Sequence, residues 1–345
     1  MTRGERPGVA MTELPSGDQR APLPVPRDLV ILWDDSPPHT MNLTTKGLQD
    51  ALAALGVARA RRRRSGFARQ IGRALGRVGL VRPLLKRPRG RTIAVVTWAS
   101  HATVFPDAYW RRIVPWVYDC WGPMFPRWEA FFRTHRIDTA FISARDSARH
   151  LASAVPGLRA LWLPEACDPG LYRPGTPLVA RGIHVLELGR KHEALHRRIR
   201  EPLASARRTH KFALNGVRTP IFDGTDGLYR GLADTAVMLC FPKATTHPDE
   251  AGGVRTVTLR YFESIGSGCL TVGECPDELR ELFGFDPVIA LNPDDPGGHL
   301  LELLGRIGEF QEHVDRCRRR LLEVGTFPVR ARQMLAMLAE LPADE

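Results

Sequence analysis

The feature that most constrains this chain is an alternation that occurs twice. Short, wholly apolar runs are each followed by a stretch of helical periodicity, in two series separated by a Gly- and Pro-rich break at residues 168–177. The first series contains DLVILW (28–33), TIAVVTWAS (92–100), IVPWVYDCW (113–121), DTAFISA (138–144) and ALWLPEA (160–166). The second contains GIHVLELG (182–189), KFALNG (211–216), TAVMLCFP (235–242), CLTVGE (269–274) and PVIALN (287–292). Strands that are apolar on both faces need cover on both sides, and intervening helices supply it, so each series predicts a parallel sheet in an α/β domain. Helices are expected over residues 40–56, 127–134, 144–154, 256–266 and 276–283. Leu300, Leu304, Ile307, Phe310, Val314, Cys317 and Leu321 recur at steps of three and four, which predicts one amphipathic helix over residues 299–322.

The resulting organisation is a tail at 1–27, a first domain at 28–170, a linker at 171–180, a second domain at 181–328 and a closing helix with its tail at 329–345. Two α/β halves on a short linker face each other across a cleft, where the carboxyl ends of their strands can receive a ligand. That layout serves binding proteins, epimerases and transferases alike.

The formal charge of +11 on 345 residues reads at first as that of a nucleic-acid binder. Between Ala51 and Pro106, however, there are thirteen Lys or Arg and no acidic residue, so the rest of the chain sums to −2. The charge question therefore belongs to a basic insert at 59–91. There Phe67, Ile71, Leu75 and Val78 form an apolar stripe beside Arg69, Arg73 and Arg77, weakened by four glycines. A cationic amphipathic helix of this kind suits peripheral attachment to an anionic membrane, or a solvated face covering the first sheet. No nucleic-acid motif accompanies it, and nucleic acid is not an expected partner. The six cysteines have no metal-ligand or disulfide spacing, no 18-residue apolar span occurs in the sequence, and residues 1–27, with five prolines and no apolar run, are not expected to act as a secretory leader. A cytoplasmic protein with reduced thiols and a disordered first 27 residues is expected.

The stretch RTVTLRYFESIGSGCLTVG (255–273) carries the most chemistry. It combines a Thr cap, a helix of two to three turns, a Gly-x-Gly exit and a buried strand. Arg260 and Glu263 share a helical face three residues apart, which by spacing alone fits either an ion pair or a ligand-binding pair. This stretch resembles the glycosyltransferase group 1 type, in particular its short spore-maturation-protein-like branch. The likeness rests on Arg260, Tyr261, Phe262, Glu263, Gly268 and the strand that follows. The upstream ELGR and the terminal FPVRARQML support it, and in the first domain YDCW and LWLPEA match in layout.

The resemblance implies the GT-B architecture, two Rossmann-like domains facing across a cleft, with the C-terminal helix crossing back to the first domain. It implies sugar transfer from a nucleoside-diphosphate-sugar donor to an acceptor held by the first domain. It further implies no metal, no other cofactor and retention of anomeric configuration. Glu263 would hold the ribose, and Arg260 would contact the phosphates or Glu263. The start of the helix, with Thr256 and Thr258, would face the diphosphate, since helix N-termini and cations stabilise a departing anion. Arg190 and Lys191, after the Gly turn of ELGR, resemble the family's diphosphate grip, and Lys243 ends a strand on the same side. Asp34, Asp35 and His101, past strands of the first domain, are candidate acceptor-side catalytic groups. Many group 1 enzymes carry a first glutamate eight positions before the second, but here that position is Arg255. A catalytically silent, transferase-like binding protein and a nucleotide-sugar epimerase on the same fold are the alternatives.

Overall fold

The computed structural model describes residues 29–33, 42–61, 93–96, 107–109, 111–189, 191–213 and 220–340, with isolated positions at Val25, Phe67, Gln70, Ile71, Ala74 and Val104. The first domain is built from β1 (Leu29–Trp33), α1 (Asn42–Ala54), β2 (Ala58–Arg61), β3 (Ile93–Val96), β4 (Arg112–Val117), α2 (Phe125–His135), β5 (Thr139–Ile142), α3 (Arg145–Ala154) and β6 (Arg159–Trp162). All its strands are parallel, in the order β2-β1-β3-β4-β5-β6. Phe131 and Phe132 of α2 and Ala148 and Leu151 of α3 cover one face.

The second domain comprises β7 (Ile183–Glu187), α4 (Glu193–Ser205), β8 (His210–Phe212), α5 (Gly224–Ala233), β9 (Thr235–Cys240), α6 (Lys243–Thr246), α7 (Pro248–Ala251), α8 (Leu259–Gly266), β10 (Leu270–Gly273), α9 (Asp277–Phe283), β11 (Ile289–Ala290), α10 (Pro296–Gly305) and α11 (Gln311–Val324). Its parallel sheet runs β11-β10-β9-β7-β8. Phe262 and Ile265 of α8, Leu279 of α9 and Leu321 of α11 pack on one face. Ile199 and Leu203 of α4 with Leu300 of α10 pack on the other.

A last helix, α12 (Phe327–Ala339), returns to the first domain. Its Phe327, Ala331, Met334 and Leu338 join Leu29, Ile31, Leu48 and Leu52 in one core, against α1. The two chain crossings lie side by side. Cys167 N–H donates to the Gly325 carbonyl at 3.1 Å, and Phe327 N–H donates to the Cys167 carbonyl at 3.3 Å. Arg330 is fully buried beneath them and donates to the Pro164 carbonyl at 3.0 Å.

Two elements differ from the sequence reading. The start of the expected basic insert is an edge strand, β2, which pairs in parallel with β1 at Val30↔Ala58. The single helix expected over 299–322 is two, α10 and α11, joined by a 3-10 turn at Ile307–Phe310. Gly305 and Gly308 interrupt it, and glycine is the costliest residue inside a helix after proline. Of the remaining insert, only Phe67, Gln70, Ile71 and Ala74 are described, all helical. The six cysteines are free thiols. No helix among the described residues is long and apolar enough to cross a membrane.

Candidate functional site

In the second sheet, β7 lies between β8 and β9, so the connections leaving β7 and β9 diverge to opposite sides. Such a switch point opens a crevice at the carboxyl ends of the strands. A cavity of about 220 Å³ occupies it, lined by Leu188 and Gly189 after β7, Phe241 and Lys243 after β9, and Thr258 and Arg260 at the start of α8. Gly189 has φ +83°, and a Cβ there would come within 3.3 Å of the Arg260 guanidinium. Glycine is therefore the residue that lets this turn close over the cation.

Arg260 links the cavity to a buried carboxylate. Its guanidinium donates to one oxygen of Glu263, while the Tyr172 hydroxyl donates to the other at 2.7 Å. Glu263 is 2% exposed. Burial works against charge on Arg260, but Glu263 outweighs it and holds the guanidinium above its ordinary pKa. Burial, reinforced by Glu263, also pushes the Tyr172 phenol up, so it stays a neutral donor. The second cation at the rim, Lys243, pairs with Glu250 at 2.9 Å and lies 4.7 Å from the centre of the Trp121 ring in the first domain.

Glu263, Arg260, Thr258 and Lys243 are thus brought together. Thr256 is 5% exposed, with its hydroxyl donating to Glu278 at 2.7 Å rather than lining the cavity. Lys191 lies over Phe212 at 5.3 Å and faces Glu193 at 3.7 Å. Arg190, Asp34, Asp35 and His101 fall outside the described residues. Arg255 pairs with Glu274, which also accepts from the Thr245 hydroxyl at 2.6 Å. Glu274 and Phe241 border a second, mainly apolar cavity of about 500 Å³ next to the first.

On the first-domain side, the sequence reading assigns Asp119 of YDCW to packing around the cleft and misses Glu165. Asp119 has φ +50°, a conformation that costs an L-residue energy, and its Oδ1 accepts from Trp121 Nε1 at 3.0 Å. Glu165 is pushed up to about 8 by burial and by the nearby Asp119 and Glu263 charges, against opposing pulls from the Leu259 backbone and Arg260. LWLPEA contained Glu165, but nothing local showed that it meets the start of α8 at the Leu259 backbone.

Behind the β7 turn, Glu187 Oε1 meets His196 Nδ1 at 2.6 Å and His210 Nε2 at 2.8 Å. These form the only group of three or more metal-ligating side chains that converges among the described residues. Both imidazoles approach the oxygen itself at hydrogen-bond distances, closer than the roughly 3.3 Å between neighbouring ligands of a tetrahedral ion. The cluster fixes the base of the turn.

Two parallel Rossmann-like domains, a crevice at the switch point of the second and a helix returning to the first define the GT-B architecture of the glycosyltransferases. Solved structures share it. Sucrose-phosphate synthase from Thermosynechococcus elongatus has a TM-score of 0.57 at 10% identity, covering 91% of this chain and 99% of that one. Anabaena HepE superposes with the same coverage in its complex with UDP-glucose (TM-score 0.55, 9% identity) and in its complex with UDP and glucose (0.54, 11%). No family model matches the chain, and no curated protein matches it in sequence.

Proposed function

We propose that this protein is a glycosyltransferase that takes a sugar from a nucleoside-diphosphate donor, with UDP as the carrier to test first. The observation that carries this reading is the convergence of Arg260, Lys243 and the first turn of α8 on one switch-point cavity, beside the buried Glu263. The HepE complexes with UDP and UDP-glucose support the choice of nucleotide. The anomeric carbon loses its bond to the diphosphate and gains one to the acceptor oxygen, whose proton leaves with the products. Developing charge on the diphosphate is met by the two cations and the helix N-terminus, so the reading includes no metal. Ribose binding by Glu263 requires Arg260 to release one of its oxygens and turn toward the phosphates, which replaces one charged partner with another. Retention of configuration follows from the resemblance to the group 1 type. Peripheral membrane attachment through 59–91, presenting the acceptor, belongs to the same proposal and rests on that segment's charge.

UDP titration by thermal shift, followed by assay of UDP release from a panel of UDP-sugars, tests the reading. Binding is expected to raise the apparent Tm, and Arg260→Ala is expected to weaken UDP about tenfold or more. Unchanged UDP affinity in Arg260→Ala overturns the site assignment. UDP binding without release from any donor favours the binding-protein reading, which the ion-paired Arg255 at the position of the family's first glutamate supports.

A further inference from the structure

Helix α3 begins at Arg145 with Ala144 at its N-cap, and no side chain of its own domain caps it. Alanine supplies no acceptor for the free N–H groups of a first turn. The acceptor comes instead from the other domain: Arg145 N–H donates to Glu278 Oε1 at 2.7 Å. Glu278 belongs to the first turn of α9 and is 4% exposed. Its second oxygen accepts from the Thr256 hydroxyl at 2.7 Å and from Val257 N–H at 2.9 Å. Residues 256–257 lead directly into Thr258 and Arg260, which line the cavity. One buried carboxylate therefore holds a helix start of the first domain and the turn that shapes the nucleotide cavity of the second.

The Arg145 guanidinium adds a second link between the same two helices: it lies 4.4 Å from the Trp162 ring centre and donates to Glu281, three residues after Glu278, at 2.9 Å. Close by, Gly122 of the first domain and Gly252 of the second approach so tightly that a Cβ on Gly122 would lie 2.5 Å from the Gly252 carbonyl oxygen. A buried carboxylate deprived of one of its partners is costly. Parting the domains removes the α3 partner and leaves Glu278 to recruit water or to shift, with Thr256 and Val257 following it.

We propose that Glu278 is a positioning residue that couples contact between the two domains to the shape of the 256–260 turn, so that nucleotide binding and domain closure favour each other. The coupling is reciprocal by linkage: the factor by which closure tightens nucleotide binding is the factor by which nucleotide favours closure. The inference rests on the nucleotide reading of the cavity for its binding arm, while its closure arm can be read without any ligand.

The experiment compares the full chain with Glu278→Ala, Glu278→Gln and Thr256→Val, using UDP as the probe. Small-angle scattering reads the radius of gyration with and without UDP, and calorimetry reads the UDP Kd. Glu278→Ala is expected to enlarge the ligand-free radius of gyration, to contract on saturation with UDP, and to raise the Kd about tenfold. Thr256→Val, which spares the bond to α3, is expected to raise the Kd with an unchanged radius. Glu278→Gln keeps one acceptor oxygen and is expected to fall between wild type and alanine; it decides the matter if the alanine variant does not fold. A folded Glu278→Ala with wild-type radius and wild-type Kd overturns the proposal. If wild type binds no UDP, the nucleotide reading fails by itself, and an unchanged ligand-free radius in the variants then overturns the coupling as well.

Discussion

Replacing Glu165 by Gln should stabilise the protein in a manner that grows with pH. In the folded chain burial and the charges of Asp119 and Glu263 push this carboxyl from its usual 4.5 to about 8. Between those values the folded state binds a proton that the unfolded state has released, so wild-type stability falls as pH rises through the window. Above pH 8 both states are ionised and the full cost of burying the charge is present. Gln is nearly the same shape, retains an acceptor for the Leu259 backbone and does not titrate. Counting about 1.4 kcal/mol per pH unit, the variant gains up to about 1 kcal/mol at pH 5 and up to about 5 kcal/mol at pH 8.5. Urea unfolding followed by Trp fluorescence is well placed to read this, because all seven tryptophans lie in the first domain, whose exit segment carries Glu165. A difference between variant and wild type that stays constant from pH 5 to pH 8.5 would refute the reasoning, since it would mean that Glu165 titrates alike in both states.

Tyr172→Phe removes the hydroxyl that donates to the Glu263 oxygen not held by Arg260. Stability is expected to drop by about 2 kcal/mol in urea unfolding, the usual worth of a hydrogen bond to a charged group, with a smaller loss of UDP affinity than Arg260→Ala gives. Replacing Arg62, Arg63, Arg64, Arg69 and Arg73 by Gln is expected to weaken cosedimentation with phosphatidylglycerol-containing vesicles markedly while UDP binding persists. At about 1 kcal/mol per basic residue at an anionic surface, five of the thirteen basic residues account for a large share of the attraction.

How far the sequence was legible depended on whether local pattern or distant packing set the outcome. β1, β4, β7 and β9 are buried on both faces, so their apolar runs announced them. β2 did not announce itself: in ARAR only the alanines are small and apolar, and its arginines read as charge rather than as an edge strand. The apolar stripe from Leu300 to Leu321 ran through the turn at 307–310 because Ile307 and Phe310, within that turn, also pack on the core and keep the spacing, so periodicity could not reveal the break. In the candidate site, Arg260 and Glu263 were legible because three residues on a helix bring side chains together. Tyr172 lies 91 residues away from its partner, and the burial of Glu165 is a product of tertiary placement, so neither left a local signal.

The return of α12 has a consequence for the order in which this molecule can be assembled. Because Cys167 and Thr326 sit side by side where the chain leaves and re-enters, the second domain is topologically an insertion into the first. Its strands and helices occupy one continuous stretch and can collapse as soon as they are made. The first domain cannot finish, because Met334, Leu335 and Leu338, which fill the space against α1, are synthesised after every strand of both sheets. A chain shortened within α12 should therefore keep an ordered second domain and lose the first, the reverse of what proximity in sequence suggests.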